Sequence, residues 1–121
     1  NMADLKQISF SSEIKNIAEE MIRRFNFSEA LATIKFGFAY AVKNHTQEIP
    51  EENERNLDST SRGLDYSVSS FSDDEIINII EVLYPEKDEP FRFLRTASIF
   101  GLRRIKSLMD SNPNLEITDL M

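Results

Sequence analysis

The chain opens on a short alternation in which Ile8 and Phe10 are separated and flanked by Gln7, Ser9 and Ser11. A period of two is the pattern of a strand with one buried face. Ser11 or Ser12 then supplies a helix cap, and Ile14, Ile17, Ala18, Met21, Ile22 and Phe25 follow at spacings of three and four. That is the stripe of an amphipathic helix. Asn26-Phe27-Ser28 interrupts it. Ser28 reads as the N-cap of a second helix running from Glu29 to about Asn44, with Phe27 stapled back onto it. This second helix is apolar nearly all round, with Leu31, Ile34, Phe38 and Ala41 on one side and Phe36 and Tyr40 on another. Such a helix must be buried on several sides, and forty-five residues are too few to surround it. Either the C-terminal segment covers it or a second copy of the chain does, and a homodimer is the expected assembly.

A polar stretch from Thr46 to Gly63 contains Pro50 and the acids Glu48, Glu51, Glu52, Glu54 and Asp58. Its composition reads as a solvated linker. The run lacks the spacing and the turn glycine of a calcium loop. Beyond it, Leu64 to Val68 can form a second short strand, and Ser72 with Glu75 reads as a capping box opening a helix from Ile76 to Leu83, which Pro85 ends. Asp73-Asp74-Glu75 is accounted for by the charge preference of a helix N-terminus. Pro90 suits the first turn of a last helix that runs to about Asp110. Leu94, Ser98, Gly101, Ile105 and Leu108 line its packing face, where Gly101 allows close helix approach. Residues 114–121 are expected as a loose tail. The expected fold is mainly α, divided into residues 1–45, a linker at 46–63 and a helical part at 64–121 that can form one unit with the first.

Composition narrows the chemistry more than the fold. The 121 residues carry no cysteine, one histidine (His45) and three glycines. Disulfides, thiolate metal sites, two-histidine mechanisms and glycine-rich phosphate loops are thereby removed. His45 ends the second helix, where a cation is favoured. No nucleophile constellation, metal set or cofactor loop stands out, so catalytic residues, metal ligands and cofactors are all expected to be none. The net charge of −7 is uneven: residues 1–45 hold six basic and five acidic side chains, whereas residues 46–121 hold eight and sixteen. No apolar run approaches the ~18 residues of a membrane span. No signal peptide pattern opens the sequence, and Asn1 before Met2 reads as an added residue. A cytoplasmic protein without membrane contact is expected.

The order strand, helix, short turn, helix resembles the ribbon-helix-helix repressors of the Arc/MetJ type. It is carried by Lys6-Gln7-Ile8-Ser9-Phe10-Ser11, then Ile14, Ile17-Ala18 and Met21, then Asn26-Phe27-Ser28-Glu29-Ala30. The resemblance covers about a third of the chain. It implies two chains pairing their strands into a ribbon for the DNA major groove, with the second helices sharing a core. Leu5, Gln7 and Ser9 would then face the bases, where Gln suits adenine and Ser suits several edges. Ser28 would meet a phosphate at a helix N-terminus. Lys15, Arg23 and Arg24 would add sequence-independent phosphate contacts. A fainter likeness, through Phe27, Phe36-Gly37-Phe38-Ala39, Phe91 and Gly101-Leu102, is to small helical proteins that accompany bacterial phosphorothioate DNA modification.

The last helix carries Arg92, Arg95, Arg103 and Lys106 at helical spacing. This row is either a stripe for phosphate or an acidic protein partner, or a solvated charged face. Two functions follow. One is a dimeric, non-enzymatic DNA-binding or DNA-associated regulator acting on double-stranded DNA, as in transcription regulation. The other is an acidic helical adaptor that binds a protein without touching DNA.

Overall fold

The structure, a computed structural model, describes residues 4–51, 63–72 and 75–121. Glu52, Glu54, Asp58, Asp73 and Asp74 lie outside the described residues. Among those described, the fold is mainly helical with one strand pair. Strand β1 (Gln7–Phe10) is followed by α1 (Ser12–Phe25) and α2 (Ala30–Asn44), then by β2 (Leu64–Ser67), α3 (Ile76–Leu83) and α4 (Pro90–Ser111).

Strand β1 buries Ile8 and Phe10 and exposes Gln7 and Ser9, as its alternation requires. Its partner is β2 of the same chain, antiparallel, with Gln7 opposite Ser67 and Ser9 opposite Asp65. Helix α1 starts at Ser11, whose hydroxyl accepts from the Ile14 amide. It ends at Asn26, which adopts the left-handed conformation (φ 62°) and donates its amide to the Ile22 carbonyl. Asparagine tolerates that region because its short polar side chain bonds locally.

The burial that α2 demands comes from α4 of the same chain. Gly37 and Ala41 on α2 meet Ser98, Gly101 and Leu102 on α4. Gly101 lies directly on the Gly37 carbonyl, leaving no room for a Cβ atom between the two backbones. Ile34, Phe38, Leu94, Leu102 and Ile105 pack above and below this contact. They belong to one continuous core that also takes in Ile8, Phe10, Met21, Phe71 and Ile80. The N-terminal and C-terminal parts therefore share a single interior.

Three local readings are corrected. Ser28 is exposed and precedes the α2 cap, which is Glu29, an extended residue whose side chain makes no capping bond. Phe27 packs edge-on against Phe36, with ring centroids 5.3 Å apart. Ser72 and Glu75 form no capping box: the Ser72 hydroxyl donates to the Val68 carbonyl at the end of a 3₁₀ turn, and Glu75 itself caps α3 in a left-handed conformation (φ 60°). Burial of Phe71 in that turn fixes Ser72 before α3 begins. Residues 114–121 are not loose. Ile117–Leu120 form a 3₁₀ turn closed by reciprocal bonds between Glu116 and Asp119, and Leu120 is buried. Leu115 and Ile117 pack against the core as well.

Both ends of α4 are capped by side chains distant in sequence. The Asp4 carboxylate accepts from the amides of Phe91 and Arg92, both at 3.1 Å. At the other end Arg24 donates to the carbonyls of Met109 (3.0 Å) and Asn112 (2.9 Å). An anion at the N-terminus and a cation at the C-terminus both match the helix dipole. Asp4→Ala and Arg24→Ala should each lower stability by about 1 to 2 kcal/mol, read as a fall in Tm by circular dichroism. An unchanged Tm in both variants would contradict this capping role.

Candidate functional site

The polar positions chosen from the sequence fall in three places. Gln7 and Ser9 share the outer face of the β1–β2 ribbon with Asp65 and Ser67. The Ser9 hydroxyl donates to the Asp65 carboxylate at 2.8 Å. Leu5 is half-buried and packs against the core. Lys15 is half-buried on α1 and Arg23 is exposed two turns further along. Arg24 is bonded to the end of α4 and lies 3.6 Å from Glu20. Ser28 is exposed at the α1–α2 turn. The ribbon brings Gln7 and Ser9 together on a face that also carries the Asp65 carboxylate, which repels a polyanion.

The basic row on α4 meets carboxylates of the same chain. Arg103 makes two bonds to Glu13, at 3.0 and 2.9 Å. Lys106 reaches Glu20 at 2.9 Å and Asp110 at 2.8 Å, and Arg92 pairs with Glu89 at 3.1 Å. Arg95 is only 7% exposed. Arg103 and Lys106 thus tie α4 to α1, while Arg92 bonds to the residue just before the helix.

The hydrogen bonds from Arg103 hold the Glu13 carboxyl below its ordinary range, with burial opposing and the guanidinium charge assisting. A depressed folded pKa stabilises above the unfolded value and is lost as pH falls through the folded one. The window therefore runs from roughly pH 4.3 downward. Both side chains are about half-exposed, so Glu13→Gln should remove only about 0.2 to 1 kcal/mol at neutral pH. The gap to wild type should close in acid. Urea titrations at pH 7 and pH 3 check this, and an equal gap at both values would contradict it.

His45 closes α2 with its ring between Tyr40 and Phe100, at centroid distances of 5.4 and 5.8 Å. Its Nδ1 lies 2.9 Å from Glu48. The bond to His45, aided by Arg104, holds the Glu48 carboxyl below the usual range. Thr46 and Tyr84 hydroxyls are bonded to one another beside it. This cluster fastens the end of α2 to α4 and the segment after α3. Among the described residues no group of three or more His, Asp or Glu side chains could hold a metal ion.

The least satisfied surface is apolar, and no sequence argument selected it. Between α2 and α3 runs an open groove of about 540 Å³, walled by Phe38, Ala39 and Val42 on one side and Ile76, Ile79 and Leu83 on the other. Lys35 and Lys43 are the charged residues of its wall. They stand eight residues apart on α2, which is about 12 Å along the axis. Lys35 extends over the Phe71 ring at 5.9 Å. Next to the groove, α3 projects Val82 and Leu83, exposed by 75% and 57%. Among the described residues, three of the five exposed large apolar side chains (Ile79, Val82 and Leu83) sit on this one short helix. The six apolar residues Ile76, Ile77, Ile79, Ile80, Val82 and Leu83 were the available signal, since an eight-residue helix cannot turn all of those side chains to one core.

Comparison with protein-family models, curated proteins and solved structures gives no match. Among the described residues no helix is long and apolar enough to cross a membrane.

Proposed function

We propose that the protein is a non-enzymatic helical docking module that seats an apolar helix of a protein chain in its α2–α3 groove. The supporting observation is the contrast between α3 and the rest. The apolar stripe of α1 and the faces on which α2 and α4 meet are covered within the chain, while α3 leaves Ile79, Val82 and Leu83 outward beside a groove whose other wall is Ala39 and Val42 of α2. Rimmed apolar surface of this kind marks interaction sites, and a helix laid in a groove is a recurrent mode of recognition. The acidic adaptor reading fits this arrangement, with its contact on α2 and α3 rather than on the cation row of α4.

A second reading, DNA contact through the ribbon, is favoured by one observation: β1 and β2 form an antiparallel pair with Gln7 and Ser9 outward. Gln7 would supply base recognition. Asp65 on the same face, and the engagement of Arg24, Arg103 and Lys106 with their own chain, leave few cations for phosphate.

The test sets Ile79→Asp and Gln7→Ala against wild type, in cross-linking of tagged protein within source cells and in anisotropy with labelled duplex DNA at two salt concentrations. Docking predicts that Ile79→Asp abolishes the cross-linked protein species and that Gln7→Ala leaves it intact. Saturable, salt-dependent DNA binding lost in Gln7→Ala, with cross-linking indifferent to Ile79, would replace docking with the ribbon reading.

A further inference from the structure

We infer that His45 and its neighbours form a pH-responsive clasp at one end of the α2–α3 groove, which tightens as the imidazole gains a proton. This rests on the docking reading for what the groove seats, and it concerns how firmly the two walls are held. The walls reach Val42 and Lys43 on α2 and Leu83 on α3. Immediately beyond them, Thr46 and Tyr84 are bonded hydroxyl to hydroxyl. The helices are thus joined just past the groove by a bond whose α2 side hangs on His45. Thr46 follows His45 directly, so the seat of the imidazole ring places the hydroxyl that meets Tyr84.

That seat is built from several directions. The His45 amide donates to the Ala41 carbonyl at 2.9 Å, and its carbonyl accepts from the Glu48 amide at 2.8 Å. Its ring stands between Tyr40 of α2 and Phe100 of α4, with Nδ1 on the Glu48 carboxylate. Glu48 also accepts from Arg104 of α4 at 2.8 Å, and that guanidinium lies over the Phe100 ring at 5.0 Å. Glu48, the C-terminal end of α2 and the aromatic faces favour a cationic ring, while Arg104 and Lys43, two residues earlier on α2, oppose it. The bond to His45 holds the Glu48 carboxyl below its ordinary range, so the acceptor stays ionised where an imidazole titrates. Protonation then replaces a neutral bond by a charge-assisted one. The clasp should hold more firmly at about pH 5.5 than at about pH 8. It should be lost in acid, as pH falls through the lowered value of Glu48. With no cysteine and a single histidine, the chain offers no second side-chain type that ordinarily changes charge in this interval.

Residue-resolved hydrogen exchange of the full chain, without any partner, at about pH 5.5 and about pH 8 tests the clasp, using wild type, His45→Gln and Thr46→Val. Protection factors, which remove the intrinsic pH dependence of exchange, are read at the last amides of α3, Leu83 and Tyr84, the latter bonded to the Ile80 carbonyl at 2.8 Å. The His45 ring is followed alongside by NMR. Wild type should be protected about twofold to fivefold more at the lower pH, the range of a partly exposed ion pair. His45→Gln should lose this response. Thr46 is exposed, so Thr46→Val leaves the core untouched. It should lose the response at α3 although its His45 ring still titrates. Equal wild-type protection at the two pH values, or a response that persists in either variant, overturns the inference. Because no partner is present, that failure leaves the docking reading to the Ile79→Asp cross-linking test. Loss of docking there leaves the exchange result standing as a property of the free chain.

Discussion

Gly101→Ala is expected to loosen the whole helical pair rather than a single side chain. The added methyl group would press on the Gly37 carbonyl, whose oxygen and carbon belong to the backbone of α2, and would come within 3.3 Å of the Ala41 methyl. Backbone cannot rotate away, so α2 and α4 must separate along their shared face. Overpacking of this kind reaches about 3 kcal/mol, partly offset by the roughly 1 kcal/mol that alanine gains over glycine within a helix. A net loss of about 2 kcal/mol lowers Tm by on the order of 8 °C for a chain of this length. Gly37→Ala meets the Leu102 side chain at 2.7 and 2.9 Å instead. A side chain can shift, so this variant should be the milder of the two. Thermal denaturation of both ranks them, and equal stability of Gly101→Ala and wild type would show that the helices are not in backbone contact.

Phe71→Ala is expected to have a larger effect. Phe71 is wholly buried in the 3₁₀ turn that leaves β2. It meets Tyr66 edge-on at 6.2 Å and carries Lys35 over its ring. Truncation leaves a cavity beneath the ribbon and beside α2, which costs about 3 to 5 kcal/mol. That is a large part of the 5 to 15 kcal/mol typical of small domains. Urea denaturation at neutral pH should show a midpoint reduced by a third or more, while Phe27→Ala, at a half-exposed edge, should shift it far less. A Phe71 variant as stable as wild type would contradict the placement of this ring in the core.

Much of the architecture is visible in the hydrophobic pattern because the pattern reports burial directly. Ile8 and Phe10 give β1, the stripe from Ile14 to Phe25 gives α1, and the all-round apolar character of α2 foretells a helix covered on several sides. Gly101 marks the close approach of α4. Features that depend on distant groups are not legible in this way. The strand β1 needs a partner, and nothing near it in sequence says that Leu64–Ser67 supplies one. Ser28 and Ser72 have the side chains of helix caps, yet the turn at Phe27 and the burial of Phe71 place the helix starts elsewhere. Asp4 and Arg24 cap a helix more than eighty residues away, which local propensity cannot reveal. The cation row on α4 looks available to a ligand until α1 brings Glu13 and Glu20 beside it. The tail from Asn114 reads as loose because its apolar residues are few, but Leu120 needs only one vacant site at the core to order it. The groove was legible only as an excess: α3 has more apolar side chains than one face of eight residues can bury.

The proposed function makes α3 and its groove the surface that meets another protein chain. Since the sequence contains no cysteine, a single thiol introduced by Val82→Cys can carry a photoactivatable cross-linker within source cells, with Ser28→Cys on the exposed α1–α2 turn as the control. A discrete cross-linked protein species from Val82→Cys that the further change Ile79→Asp removes, with none from Ser28→Cys, is the expected result. Equal yields from both positions, or none from Val82→Cys, would contradict the proposal that this face docks a protein chain.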